Sequence, residues 1–214
     1  LSGQLSLSQL TFGGFGAVAY AHLGWANPAG LLWAALVGAA VAVVVALPVV
    51  RLQGIYVALA TAAFTVLCDR WVFSLPELSV AGHWFQPFPK GSLPVHGPRF
   101  LGLDLTSATA SFLHGAVVFA VLVLAVVAVR RSPFGARLIA TKEGPAAVAT
   151  AGIDVIGTKL AVFALSGAIA GIGGAVLSGT GPATPSTFDL VAGLPLLLVM
   201  VIGGITSVGA AVGA

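Results

Sequence analysis

The chain has 214 residues, of which 58% are hydrophobic and only 7% are charged, and its formal net charge is +3. A soluble domain of this length would carry about 25% charged residues. The composition therefore excludes a soluble globular domain and predicts a membrane protein. The single cysteine, Cys68, excludes an internal disulfide, and no cluster of side chains has the spacing of a metal site.

A helix needs about 20 mostly apolar residues to cross a bilayer. The sequence offers five stretches of roughly that length and a shorter, more polar one at the start, which is a candidate for a discontinuous helix. We therefore predict an all-α polytopic bundle of about six membrane segments. In chain order these are residues 8–23, 29–50, 52–73, 111–129, 160–179 and 190–207.

Two connections between these segments are long and differ in composition. Residues 75–110 contain five prolines and charges of both signs, which predicts an irregular loop. Residues 130–159, the basic loop, contain five of the nine lysine and arginine residues: Arg130, Arg131, Arg137, Lys142 and Lys159. By the positive-inside rule the basic loop is cytoplasmic, and counting spans from it places Arg51 inside and residues 75–110 outside.

Two short helices are predicted within the basic loop. Ser132 followed by Pro133 is typical of a helix start, so the first helix should run over residues 133–141. The second should cover residues 145–151 and end at Gly152. Short helices in a basic loop fit a docking surface for a partner protein, and a solvated linker fits the same pattern.

Small residues recur at helical spacing in two of the membrane segments. Helices in lipid associate by close backbone approach through such residues, so we interpret them as packing contacts, with a minority as breaks or hinges. The predicted packing positions are Gly13, Gly167, Gly171, Ala175 and Gly179.

Polar side chains are concentrated in the first segment, although they are costly in hydrocarbon. Gln4, Ser8 and Thr11 share one helix face, and Ser6 and Gln9 lie close by. Such side chains either link helices by hydrogen bonds or face a hydrated cavity. Three on one face favour the lining of a translocation route.

The sequence lacks an energy source of its own. Apart from boundary residues, the spans carry no acid or base that could couple transport to an ion gradient, and no phosphate-binding loop occurs. Any pumping must therefore be driven by another polypeptide. A passive channel or a secondary carrier would not need the basic loop. An intramembrane serine protease with Ser166 and His114 lacks a convincing nucleophile motif, and we predict no catalytic residue.

Four blocks, in the same order, resemble the branched-chain amino acid ABC-importer permeases and cover more than half of the chain. They are GQLSLSQLTFGGFGAVAYAHL, RLQGIYVALATAAF, SPFGARLIATKEGPAAVATAGIDVIGTKLAVFALSGAIAGIGGAVLSG and FDLVAGLPLLLVMVIGGITSVGAAVGA. Family members usually have more acidic residues where this chain has Pro145 and Ala149, and often have glycine where it has Ser8.

The resemblance implies that residues 1–214 form a transmembrane permease domain, with further spans on both sides, in the plasma membrane of a bacterium or archaeon. It implies a homologous permease subunit, two cytoplasmic ATPases that use ATP and Mg²⁺, and an external solute-binding protein, with no cofactor or nucleic acid bound by this chain. The solute expected is a branched-chain or related amino acid, and the alternatives are urea, short amides or sugars. The implied ATPase-coupling residues are Arg137, Lys142, Glu143, Pro145, Ala146, Ala147, Ala149 and Gly152.

Overall fold

The structure, a computed structural model, describes residues 6–23, 28–52, 54–75, 78–80, 83–93, 99–100, 103–104, 107–144, 148, 150 and 152–202. Within these residues it is built mainly from helices. They are α1 (Gln9–Leu23), α2 (Pro28–Val49), α3 (Ile55–Leu67), α4 (Ala108–Arg131), α5 (Pro133–Glu143), α6 (Val155–Thr180) and α7 (Leu190–Ile202).

Four of the described helical stretches are long and apolar enough to cross a membrane. They are Ala29–Val49, Ile55–Phe73, Thr109–Arg131 and Val155–Thr180. The third predicted segment, residues 52–73, corresponds to α3 and the π-helix Cys68–Phe73 that continues it. The first predicted segment is present as a helix of 15 residues, and the last is described as a helix over its first 13 residues, up to Ile202.

Side-chain caps fix where several helices begin. The Ser132 hydroxyl accepts a hydrogen bond from the Gly135 amide at 3.3 Å, and Pro133 follows it, which confirms the predicted start of α5. Asp154 Oδ1 accepts from the Gly157 amide at 2.9 Å and caps α6. Helix α6 therefore begins five residues before the apolar stretch predicted from residue 160, because its polar first turn is held by this cap.

The centre of the bundle consists of α1, α2 and α6, which we call the central unit. Helices α1 and α6 run parallel, because Gln9 lies beside Ser166, and Gly13, one turn later, lies beside Ala170. Their contact is close: a Cβ atom at Gly13 would lie 3.2 Å from the Ala170 carbonyl oxygen.

Helix α2 runs opposite to both of its partners. Ala34, near its start, approaches Gly171 of α6, whereas Ala42, two turns later, approaches Gly167. Phe12 of α1 packs among apolar residues in the second half of α2, which gives the same direction. The central unit is thus an up–down–up arrangement of three helices in which the last one contacts both others.

The connection between α3 and α4 is more ordered than the irregular loop that its prolines predicted. It contains two antiparallel hairpins, β1 (Leu78–Val80) with β2 (His83–Phe85) and β3 (Arg99–Phe100) with β4 (Leu103–Asp104). A 3-10 turn at Pro89–Gly91 lies between them. The prediction failed here because strands of two or three residues are too short to show a hydrophobic period.

Part of this connection also packs against the bundle. Phe88 and Leu93 are buried, and the Leu93 amide donates to the Ala183 carbonyl oxygen at 2.8 Å. Phe88 lies 5.4 Å from Phe73 and 6.4 Å from Phe188 between ring centroids. The segment after α6 is therefore held between the connection and the ends of α1 and α3.

Helix α4 lies at the edge of the described bundle. None of the described side chains from Thr109 to Arg131 is buried, and Phe112 is 78% exposed. Its first turns approach the end of α6, where a Cβ atom at Gly115 would lie 3.5 Å from Val176. Helix α4 therefore runs opposite to α6 and leads into α5 at the end of the bundle where α6 begins.

Candidate functional site

The chain enters α1 through a short non-helical segment, Ser6 to Ser8, whose backbone is held by α3. The Leu7 amide donates to Thr61 Oγ1 at 3.1 Å, and Thr65 Oγ1 donates to the Leu7 carbonyl oxygen at 3.3 Å. Thr11 Oγ1 donates to Thr65 Oγ1 at 3.0 Å. Non-helical backbone at membrane depth requires such partners, because lipid offers none.

The predicted polar face of the first segment divides between two environments. Ser8 and Thr11 are fully buried, and Ser8 lies 3.0 Å from the Ser6 hydroxyl oxygen. For Thr11 the hydrogen bond to α3 favours the alternative interpretation, a link between helices. Gln4 lies outside the described residues.

Gln9 lies instead on the wall of a groove between α1 and α6, which we call the Gln9 groove. Its side-chain nitrogen donates to Ser166 Oγ at 2.9 Å across the two helices. The groove has a volume of about 290 Å³. Its apolar walls include Leu10, Ile169, Leu177 and Phe188, and glycines form part of its floor.

The glycines of α6 allow the helices of the central unit to touch through their backbones. A Cβ atom at Gly171 would overlap the Ala34 carbonyl group, and one at Gly167 would overlap the Gly38 carbonyl group. Ala175 and Gly179, later on the same face, are also buried. Four of the predicted packing positions therefore lie along the buried face of α6, and Gly13 faces that helix from α1.

The basic loop forms a cleft where α5 meets the start of α6. The cleft has a volume of about 380 Å³ and is lined by Arg137, Gly152 and Asp154, among others. Leu138 and Thr141, on the other side of α5, are buried, whereas Arg137 is exposed. Helix α5 is thus seated on the bundle by one face, and its other face exposes Arg137.

Helical hydrogen bonding continues after α5. The Val148 amide donates to the Gly144 carbonyl oxygen at 3.0 Å, and the Ile153 amide donates to the Val148 carbonyl oxygen at 3.2 Å. The second bond, with Gly152 at φ 77°, is the pattern that closes a helix through a left-handed residue. The predicted stop at Gly152 is confirmed.

The remaining coupling positions are only partly described. Lys142 and Glu143 occupy the last turn of α5. The positions that lie outside the described residues are Pro145, Ala146, Ala147 and Ala149.

The polar partners of the first segment were not singled out from the sequence. Thr61 and Thr65 are spaced by one helical turn in an otherwise apolar stretch, and that spacing was the available signal. Ser166 was considered as a nucleophile, but it lies in the Gln9 groove, whereas His114 lines a separate small cavity beside Tyr20.

These features define a helical membrane protein with a tightly packed centre and a partly helical basic loop. Residues 1–214 match the protein family described as the branched-chain amino acid transport system / permease component, and the chain belongs to that family. It is also 35% identical over 81 residues to a protein from Methanocaldococcus jannaschii named "Probable branched-chain amino acid transport permease protein LivH".

That similarity covers 38% of this chain and 25% of the archaeal relative, so the aligned part spans about a quarter of the relative's length. No solved structure matches the chain. Family membership therefore rests on the match along the whole sequence to a family of membrane permease components.

Proposed function

We propose that this chain is a membrane-spanning subunit of an ATP-driven importer and helps to form the route for branched-chain or related amino acids. The observation that carries the proposal is the match of residues 1–214 to a family of permease components. The name of the archaeal relative supports the solute class. The proposal includes a homologous permease subunit, two ATPases that use ATP and Mg²⁺, and an external solute-binding protein.

The distribution of basic residues supports a plasma-membrane topology of about six segments. Arg51 follows α2, Arg130 and Arg131 end α4, and Lys159 lies in the first turns of α6. Because α2 and α4 run opposite to α6, these positions share one end of the bundle, which the positive-inside rule assigns to the cytoplasm. The connection between α3 and α4 is then external.

The basic loop is the proposed contact with the ATPases. Helix α5 is seated on the bundle through Leu138, and its exposed Arg137 shares a cleft with Gly152 at the start of α6. A push on this loop would reach α6 directly, and α6 touches α1 and α2 through backbone contacts. The central unit would then shift as packed helices rather than by local bending.

The solute route would use the polar, uncharged groups of the first segment. Gln9 is the member of that set that lies on the wall of a groove, whereas Thr11 is hydrogen-bonded between helices. A zwitterion can pass neutral polar groups without being trapped by an opposite charge. Selectivity would then rest mainly with the solute-binding protein.

The test compares two glycines with positive φ. Gly152 has φ 77° and Gly54 has φ 57°, and nothing described lies within 4 Å of a Cβ atom at either position. Replacement by alanine strains the backbone at both positions, because L residues rarely adopt a positive φ. Gly54, with ψ −126°, lies outside the small left-handed region that L residues can enter, so it is a severe control. In the reconstituted importer, Gly152→Ala should lower the amount of leucine imported per ATP hydrolysed, whereas Gly54→Ala should leave that ratio unchanged.

Full coupling after Gly152→Ala would contradict the role of the basic loop in transmitting force. Import of urea, short amides or sugars in place of amino acids by the wild-type assembly would contradict the proposed solute. Import without ATP hydrolysis would contradict the class of machine, because a channel or secondary carrier does not need a coupled ATPase.

A further inference from the structure

Gly173 has no packing role among the described residues. Cβ atoms at Gly167, Gly171 and Gly174 of the same helix would overlap neighbouring atoms, but none of the described atoms lies within 4 Å of a Cβ at Gly173. A glycine inside a helix costs about 0.5–1 kcal/mol relative to alanine. Gly173 therefore leaves the backbone of α6 open at this point, so that a molecule outside the described chain can approach it closely.

Gly173 lies in the Gln9 groove, between a polar pair and an apolar wall. At the polar end, Gln9 donates to Ser166, which leaves the Gln9 amide oxygen and the Ser166 hydroxyl hydrogen available within the described part of the chain. At the other end, the walls include Leu177 and Phe188. The groove thus combines neutral hydrogen-bonding groups with an apolar surface.

We propose that the Gln9 groove is a contact site for the transported amino acid inside the membrane, and this rests on the proposed function. The ammonium group of the solute is accepted by the Gln9 amide oxygen, and its carboxylate accepts a hydrogen bond from the Ser166 hydroxyl. The branched side chain lies over Gly173 against Leu177 and Phe188. Gly173 provides the room for that side chain, so it determines specificity by size.

The size of the groove suits a small solute. A volume of about 290 Å³ is close to the lower limit of ordinary ligand pockets, which is about 300 Å³. The groups at the polar end are neutral, so they can bind a zwitterion without trapping it by an opposite charge.

Substrate protection of an introduced thiol tests the site in the complete importer. Ile169→Cys places a thiol on the wall of the groove without reducing the room at Gly173, and Ala161→Cys places one on an exposed part of the same helix outside the groove. The native Cys68 is buried and provides the background. A small neutral maleimide is applied to proteoliposomes that carry the assembled importer, with leucine or arginine as the competing solute.

Leucine should slow labelling at position 169 and not at position 161. At ten times the half-protecting concentration of leucine we expect labelling to slow about tenfold, because mass action leaves about one site in ten empty. Arginine should give no protection, since its charged side chain does not suit the apolar wall. Leu10→Cys, on the α1 wall of the groove, gives the same readout where Ile169→Cys fails to assemble.

Two results would overturn the assignment. Equal labelling of position 169 with and without leucine would show that the solute does not enter the groove. Absence of labelling at 169 while 161 reacts would show that another helix covers the groove. Continued ATP-driven leucine uptake by the wild-type importer in either case would leave the proposed function standing.

Discussion

The central unit and helix α4 differ in how much of their surface this chain itself covers. Helix α6 buries glycines against the backbones of α1 and α2, with Gly171 facing Ala34. Helix α4 is the most apolar of the four candidate spans, and yet none of its described side chains from Thr109 onwards is buried. Phe112 and Leu124 are 78% and 67% exposed.

Apolar character and packing are therefore separate properties in this protein. Lipid tails are as apolar as leucine, so association in the bilayer depends on close approach through small residues and on hydrogen bonds. The central unit has both, whereas α4 presents large side chains to lipid or to a partner protein. We therefore expect the contacts that stabilise the folded protein to be concentrated among α1, α2 and α6.

The largest expected effect comes from adding one methyl group to the central unit. In Gly171→Ala, the new Cβ atom would overlap the Ala34 carbonyl group, so the helices must separate. We expect a loss of about 2–3 kcal/mol in the free energy of unfolding in detergent, typical of overpacking.

Gly115→Ala in α4 is the matched control for that substitution. Its Cβ atom would meet Val176 at an ordinary 3.5 Å, and alanine is the better helix former. We expect no loss of stability. Equal destabilisation by the two variants would refute the contrast between the central unit and α4.

A smaller effect is expected from the hydroxyl groups that connect α1 to α3. Thr65→Val removes the acceptor for Thr11, in buried surroundings, and a donor to the Leu7 carbonyl oxygen, in partly buried surroundings. Leaving such groups without partners costs about 1–2 kcal/mol, measured as the change in unfolding free energy.

Two variants sharpen this second prediction. Thr65→Ser keeps the hydroxyl and should recover most of the lost stability. Thr180→Val removes an exposed hydroxyl that bonds only within its own helix, and it should change little. If Thr180→Val lowered the unfolding free energy as much as Thr65→Val, the hydrogen bonds between α1 and α3 would contribute no more to stability than a bond within one helix.

The smallest effect is expected at the cap where the basic loop enters α6. Asp154→Ala removes the acceptor for the Gly157 amide, which is exposed to solvent, and should cost about 1 kcal/mol of unfolding free energy. Asp154→Asn keeps an acceptor oxygen and should cost less. An equal loss from asparagine and alanine would show that the charge, rather than the cap, stabilises this end of α6.

Much of the helical layout could be predicted because membrane spans are long and their signals are local. The start of α5 followed from Ser132 and Pro133, and its observed cap is the predicted one. The predicted start of α6 at residue 160 was late, because hydropathy does not register a polar first turn held by Asp154. A prediction of such a helix start must therefore include the cap residue as well as the hydropathy.

Features that depend on distant partners could not be predicted in the same way. The polar residues of the first segment were identified, but the sequence does not show that Thr11 meets Thr65 whereas Gln9 meets Ser166. The burial of Phe88 likewise depends on Phe73 and Phe188, which belong to other parts of the sequence. Such pairings follow from the packing of whole helices.

The sidedness of the basic loop decides whether force from an ATPase can reach the central unit. Ala136→Cys places a thiol on the exposed face of α5, and Ser186→Cys places one on the exposed segment after α6. A membrane-impermeant maleimide should label position 186 in intact cells and position 136 only in inverted vesicles. Labelling of position 136 from outside intact cells would contradict the proposed coupling of this permease to cytoplasmic ATPases.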